Sequence, residues 1–121
     1  MTVQSYKELT VWKKSIDLVH EIYALTNQLP KSEVYGLCSQ MQRAAVAIPS
    51  NIAEGYKRNH RLEFVQFLSI ANGSAGELET QLIIITRQYP NLDCKKALGL
   101  LTEIQKMLFA IIKTLKNKST R

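Results

Sequence analysis

Apolar residues recur every three or four positions along most of this 121-residue chain, which is the spacing of amphipathic helices. The apolar segments alternate with short stretches rich in proline, glycine and asparagine, residues that end helices. The pattern predicts four helices, over about 8–29, 33–54, 60–89 and 92–117. Each expected helix is amphipathic, so each must bury one face against the others.

Two apolar lines run along the first predicted helix. One line consists of Leu9, Trp12, Ile16, Val19 and Tyr23. The second consists of Val11, Leu18, Ile22, Leu25 and Leu29. Together they form a face wide enough to meet two neighbouring helices. Pro30 ends this helix, and Ser32 is the expected N-cap of the next one.

The second predicted helix carries a proline in its interior. Its apolar side consists of Val34, Leu37, Met41, Ala45, Ile48 and Ile52. Pro49 removes a backbone donor at a cost of about 3 kcal/mol. A new helix beginning there would have only about five residues before Gly55, which is too short to be stable. We predict one helix kinked at Pro49, with the Ala45 carbonyl free to accept a hydrogen bond from Ser50, Asn51 or a neighbouring side chain.

The last two predicted helices each carry a regular apolar seam. The third, capped by Asn59 and ended by Pro90, has Phe64, Leu68, Ala71, Ala75, Leu78, Leu82, Ile85 and Tyr89. The fourth has Ala97, Leu101, Ile104, Leu108, Ile111 and Leu115. Short links favour antiparallel neighbours. We therefore expect one all-α domain over 1–121, ordered over about 6–117, built as an antiparallel up-down-up-down four-helix bundle.

Apolar residues outside the seams leave two possibilities open. On the fourth helix they are Leu98, Leu100, Met107, Phe109 and Ile112. These side chains could widen the core, or they could form a contact between subunits. The surplus favours a homo-oligomer.

Composition narrows the functional classes. Sixteen basic and ten acidic residues give a net charge of +6 and a pI of about 9.4, in the range typical of nucleic-acid binding. No apolar run approaches the roughly 18 residues of a membrane span. The first residues show no secretory signal. We therefore expect a cytoplasmic protein that does not enter membranes, with Cys38 and Cys94 as small buried hydrophobes.

Known catalytic and metal-binding patterns are missing from the sequence. A di-iron bundle needs two Glu-x-x-His pairs, whereas this chain has only Asp17 spaced before His20. With Glu21, these two residues fit a solvated polar stripe. Gly73 and Gly76 do not form a phosphate-binding loop. We expect no enzymatic activity, no metal and no other cofactor.

Basic residues cluster at the turn between the second and third helices. They are Lys57, Arg58, His60 and Arg61, with Tyr56 beside them. Such a cluster can hold phosphates, and a tyrosine can stack on an unpaired base. Solvating loop charges are the alternative interpretation. A second basic group ends the chain, at Lys113, Lys116, Lys118 and Arg121, and we expect the two groups at opposite ends of the bundle.

Small and polar residues on the third helix also allow two interpretations. Residues 71–76 contain alanine, glycine and serine only, apart from Asn72. They could simply permit close helix approach. Alternatively, Asn51, Ser74 and a carboxylate such as Glu77 could form a buried hydrogen-bond network that fixes helix register.

Three strings carry a family resemblance: LTVWKKSIDLV, EVYGLCSQMQRAAVAIPSNIAEG and EFVQFLSIANGSAGELETQL. They resemble the four-helix-bundle proteins of the 23S rRNA intervening-sequence (IVS) family, the S23 ribosomal protein-like group. The resemblance covers about 6–115. Residues matching its signature are Arg43, Pro49, Asn51, Ala53, Glu54, Gly55, Ser74, Glu77 and Leu78.

The resemblance implies a bacterial bundle that assembles into a ring, a pentamer, with a basic surface and no enzymatic activity. RNA or another nucleic acid is the implied partner. We therefore predict nucleic-acid binding through Arg43, Lys57, Arg58, His60 and Arg61. The alternative is a protein–protein interaction scaffold in which the charge serves solubility.

Overall fold

Four long helices make up most of the computed structural model, which describes residues 5–118. Their bounds are α1 Thr10–Thr26, α2 Ser39–Lys57, α3 Arg61–Gln88 and α4 Lys95–Lys118. The short elements are 3-10 turns at Tyr6–Glu8 and Lys31–Glu33 and a π turn at Val34–Cys38. Within 5–118 there is no β-strand, and no helix there is long and apolar enough to cross a bilayer.

Each helix packs against its neighbours in the chain, and α1 also packs against α4. This closes the four helices around a single apolar core. On α1 the second apolar line forms the core, whereas the first line is half-buried and its Tyr23 is exposed. The seams of α3 and α4 are buried as predicted, with their terminal residues Phe64, Tyr89, Ile111 and Leu115 half-buried against the core.

Pro49 is buried inside α2, which continues through it to Lys57. The helix is therefore not divided at the proline, as expected. The Asn51 side chain does not reach the Ala45 carbonyl. Its Nδ2 donates to the Ala47 carbonyl one turn back, at 2.8 Å.

The beginning of α2 differs from the prediction. Regular α-helix starts at Ser39, after the 3-10 and π turns, and Ser32 caps nothing. A π turn uses one more residue per hydrogen bond than an α-helix, so it rotates the preceding residues out of phase. Val34, expected on the buried side, is consequently 45% exposed.

The start of α3 also differs. His60 holds the N-cap position with extended backbone and makes no side-chain cap bond. Asn59, the expected cap, lies in the left-handed region with φ 55°, a conformation that asparagine tolerates better than most residues. The chain therefore reverses at Asn59 and enters α3 one residue later.

Side-chain contacts fix how α1 lies against α4. Lys14, early in α1, pairs with Glu103 through Nζ and Oε2 at 3.0 Å. Glu21, later in α1, pairs with Lys96, earlier in α4, at 3.2 Å. The later of these two residues in α1 therefore contacts the earlier of the two residues in α4.

Candidate nucleic-acid interface

One hydrogen bond brings the two basic groups together. Arg61 Nη1, at the start of α3, donates to the Leu115 carbonyl near the end of α4 at 3.2 Å. The expectation of two separate basic patches is therefore wrong. Because α3 and α4 are joined by the short connection 89–94 at one end, the start of α3 and the end of α4 meet at the other.

We call this surface the basic end. Its members are Lys57, Arg58, His60, Arg61, Lys113, Lys116 and Lys118. Residue Arg121, expected to add charge there, lies outside the described residues. All members except Arg61 are exposed. The basic end is thus a joint product of the α2–α3 turn and the last turns of α4.

Arg58 and Arg61 are partly committed to the fold. Arg58 donates to Glu54 Oε2 at 3.0 Å and to Glu63 Oε1 at 3.5 Å. Its guanidinium also lies 5.0 Å from the centre of the Phe67 ring. These partners reduce its net positive field. The Arg58 guanidinium is therefore engaged by groups within the fold.

Gly55 sets the distance between the two helices beside this turn. A Cβ atom at Gly55 would lie 2.6 Å from Phe67 Cβ and 3.1 Å from Phe64 Cδ1. Only glycine allows α3 to come this close. Tyr56 then meets Phe64 edge to face, with ring centres 5.9 Å apart and planes at 88°.

Arg43 lies apart from the basic end. It precedes Lys57 by fourteen residues of α2, about 21 Å along a helix at roughly 1.5 Å per residue. Its exposed side chain makes no hydrogen bond or ion pair with any residue between 5 and 118. The structure therefore does not place Arg43 beside the basic residues of the α2–α3 turn, with which the sequence analysis had grouped it.

Instead, Arg43 shares a cleft of about 410 Å³ between α2 and α3 with Ser74 and Glu77. Three signature residues distant in sequence thus meet at one place. Glu77 Oε2 accepts a hydrogen bond from Gln81 Nε2 at 3.4 Å, while the buried Gln81 Oε1 has no partner in the part of the chain that the structure describes.

The expected network across the helices is different in the structure. The Asn51 amide bonds to its own helix, and Glu54 pairs with Arg58. The small residues at 71–76 of α3 also differ from one another in their surroundings. Ala71 and Ala75 are buried in the core, whereas Cβ atoms at Gly73 and Gly76 would meet nothing within 4 Å.

Other titratable groups lie away from the basic end. Asp17, His20 and Glu21 border a cleft with Lys96. Over residues 5–118 no three His, Cys, Asp or Glu side chains are grouped to hold a metal ion. Cys38 and Cys94 are buried free thiols, as expected. Burial, and secondarily the Glu33 carboxylate, raises the pKa of the Cys38 thiol.

One surface feature was missed from the sequence. The α3–α4 groove next to the basic end is lined by Ser69, Asn72, Phe109, Ile112, Lys113, Lys116 and Asn117. Within it Phe109 is 67% exposed, while the other surplus apolar residues of α4 pack against the core. The groove could have been found from the sequence only by locating the first half of α3 beside the end of α4.

The fold and the basic end define a class, an all-α protein of four helices with a concentrated positive charge. The family model described as 23S rRNA-intervening sequence protein matches residues 7–110, and the chain belongs to this family. The resemblance drawn from the three sequence strings is thereby confirmed.

A solved structure is similar to this chain in fold. It is a crystal structure of a protein with unknown function from the S23 ribosomal protein family of Bacteroides thetaiotaomicron, 28% identical in sequence. The match has a TM-score of 0.74 and covers 85% of this chain and 95% of the other. No curated protein matches the chain.

Proposed function

We propose that this protein is a non-enzymatic, cytoplasmic, oligomeric helical bundle that binds RNA through phosphates at the basic end. The observation that carries the proposal is the bond from Arg61 to the Leu115 carbonyl. It turns two small basic groups into one surface. Membership of the 23S rRNA intervening-sequence family agrees with an RNA ligand.

The proposed architecture is an antiparallel up-down-up-down bundle with a kink at Pro49. Lys14 with Glu103 and Glu21 with Lys96 support opposite directions for α1 and α4. The bond between Arg61 and Leu115 supports the same for α3 and α4. For the kink, the support is the missing amide and the ring of a proline in mid-helix.

Phosphate binding by this surface would be sequence-independent. Lysine ammonium groups contact phosphate oxygens as point charges, and each neutralised phosphate releases condensed counterions. The logarithm of the binding constant then falls with the logarithm of salt concentration by about 0.9 per phosphate on duplexes and about 0.7 on single strands. A steep salt dependence is the signature of this mode.

A ring of subunits, proposed as a pentamer from the family resemblance, would strengthen such binding. Each copy would repeat the basic end, and linked weak contacts gain from high effective concentration. The exposed side chains of Phe109, Leu62 and Ile70 on α3 and α4 supply apolar area for subunit contacts. Sedimentation at several protein concentrations measures the subunit number directly.

The test is a titration of labelled ribosomal RNA fragments at several salt concentrations, with a polyanion competitor. Lys57→Gln with Lys113→Gln should weaken binding and flatten the salt slope by roughly one to two phosphates. The matched control is Lys31→Gln with Lys95→Gln. It removes the same charge, and Lys95 lies about 27 Å from Lys113 along α4 at roughly 1.5 Å per residue.

Equal losses in the two double variants would mean that net charge, and not the basic end, drives binding. Binding that vanishes near physiological salt in the wild type would reject the RNA function. We avoid Arg58 and Arg61 as test positions because both have partners within the fold.

A protein scaffold is the second candidate function. Tyr35, in the π turn before α2, is 97% exposed, and the neighbouring Val34 is 45% exposed. Exposed apolar side chains grouped on an irregular turn are typical of protein contacts. An oligomer that binds no RNA at low salt would favour this alternative.

A further inference from the structure

A small pocket opens at the basic end between the end of α2 and the start of α3. It has a volume of about 300 Å³, and its lining residues are Gly55, Tyr56, Asn59, His60, Arg61 and Phe64. This volume is at the lower limit of small-molecule sites. It suits a single planar ring system better than a peptide segment.

Two aromatic residues, Tyr56 and Phe64, line the pocket. Tyr56 and Phe64 stand edge to face at 88°, an arrangement that uses the face of only one ring. The Phe64 ring can lie against Gly55 because that residue has no Cβ, which would be 3.1 Å from Phe64 Cδ1. A planar ligand entering the pocket therefore meets an aromatic surface that is already positioned.

Polar residues also line the pocket, among them Asn59 and Arg61. The Asn59 side-chain amide carries both a donor and an acceptor, and its residue is fixed in a left-handed turn. Arg61 uses one N–H on the Leu115 carbonyl, which orients the guanidinium and leaves further donors. Nucleobase edges likewise combine donors and acceptors in one plane.

We infer that this pocket binds one unpaired nucleobase of an RNA strand whose phosphates lie on Lys57 and Lys113. The inference rests on the proposed RNA function and narrows its ligand to single-stranded or looped RNA. Bases inside a duplex are stacked and cannot reach such a pocket, whereas unpaired bases stack on aromatic side chains.

The test compares oligouridylate with a blunt RNA duplex of equal phosphate number, each titrated against the full chain. Tyr56→Leu should lower the oligouridylate affinity about 5- to 160-fold, the range of one lost base stack. Duplex affinity should not change. Tyr23→Leu, at a 44% exposed tyrosine of α1, is the matched control and should alter neither affinity.

Because Tyr56 also packs on Phe64, a second measurement separates recognition from folding. An oligomer containing 5-iodouridine is photocrosslinked to the wild-type protein, and the adduct is mapped by mass spectrometry. An adduct on residues 55–64 is expected. Tyr56→Phe, which keeps the ring, should retain oligouridylate affinity within about twofold, since stacking uses the ring and not the hydroxyl.

The possible failures are distinguishable. If wild type binds both RNAs and Tyr56→Leu loses neither, or if the adduct maps elsewhere, the base pocket is wrong and the phosphate surface stands. If wild type binds neither RNA, both the base pocket and the proposed function are wrong.

Discussion

Gly55 of α2 lies directly against Phe67 of α3. A Cβ atom on Gly55 would lie 2.6 Å from Phe67 Cβ. Real Cβ atoms do not come this close, and Phe67 Cβ is joined directly to its backbone, so it cannot move aside. The signature glycine is thus explained by packing, and it also shapes the aromatic pocket.

We expect Gly55→Ala to destabilise the protein by about 1–3 kcal/mol, the usual cost of overpacking. The control is Gly73→Ala in α3, where an added methyl group meets nothing within 4 Å. That change should stabilise by about 0.5–1 kcal/mol through helix propensity. Urea unfolding at fixed protein concentration measures both. Stabilisation by both substitutions would contradict the close approach.

The phenol of Tyr89, after α3, donates to Glu33 Oε2 at 2.6 Å. This bond, with a smaller contribution from desolvation, raises the pKa of Tyr89. A raised pKa means that the bond stabilises the fold fully below the unfolded pKa of about 10. Its contribution is lost as the pH rises through the folded value, because the ionised phenolate cannot donate.

Tyr89→Phe should therefore be less stable than wild type at pH 8, and the difference should shrink steadily above pH 10. The urea unfolding midpoints of the two proteins are compared at each pH. Both proteins contain the same lysines, so the effect of lysine titration on stability drops out of the difference. Tyr35→Phe, at an exposed tyrosine, should match wild type throughout. A difference for Tyr89→Phe that is constant with pH would refute the bond.

The direction of α4 against α1 can be tested by exchanging charges. Lys14→Glu or Glu103→Lys alone should each destabilise by up to about 1 kcal/mol, because the pair is partly exposed and screened. The double exchange should recover part of that loss through coupling. Lys13→Glu combined with Glu103→Lys serves as the control. If both doubles are strictly additive, Lys14 and Glu103 are not neighbours.

The sequence predicts those parts of this structure that depend on local periodicity. The seam of α3, from Leu68 to Ile85, is buried because a seven-residue repeat specifies one helix face wherever the helix runs regularly. The exposure of Val34 was not predicted, because the π turn at Val34–Cys38 interrupts the helical periodicity before α2. The hydrogen-bond pattern that creates such a turn depends on tertiary contacts and has no reliable local signal.

The basic end is formed by contacts between residues that are far apart in the sequence. Arg61 and Leu115 are 54 positions apart, so only the arrangement of helices reveals that their basic groups merge. Arg43 shows the converse. It lies near the cluster in sequence terms, yet helix α2 carries it about 21 Å away at roughly 1.5 Å per residue. The sequence composition showed that the protein is basic, whereas only the arrangement of the helices showed where the basic residues come together.

Pro49→Ala tests whether the proposed kink serves assembly. The change restores a backbone donor and removes a helix penalty of about 3 kcal/mol, but it also removes a buried ring. We expect these effects to leave subunit stability nearly unchanged while straightening α2. The proposed subunit contacts would then be misaligned, and self-association should weaken by about tenfold or more, equivalent to roughly 1.4 kcal/mol. Sedimentation velocity across a concentration series measures this.

Pro30→Ala, at an exposed proline outside the helices, should leave assembly unaltered. A more stable Pro49→Ala protein with wild-type assembly would show that the proline has no role in it.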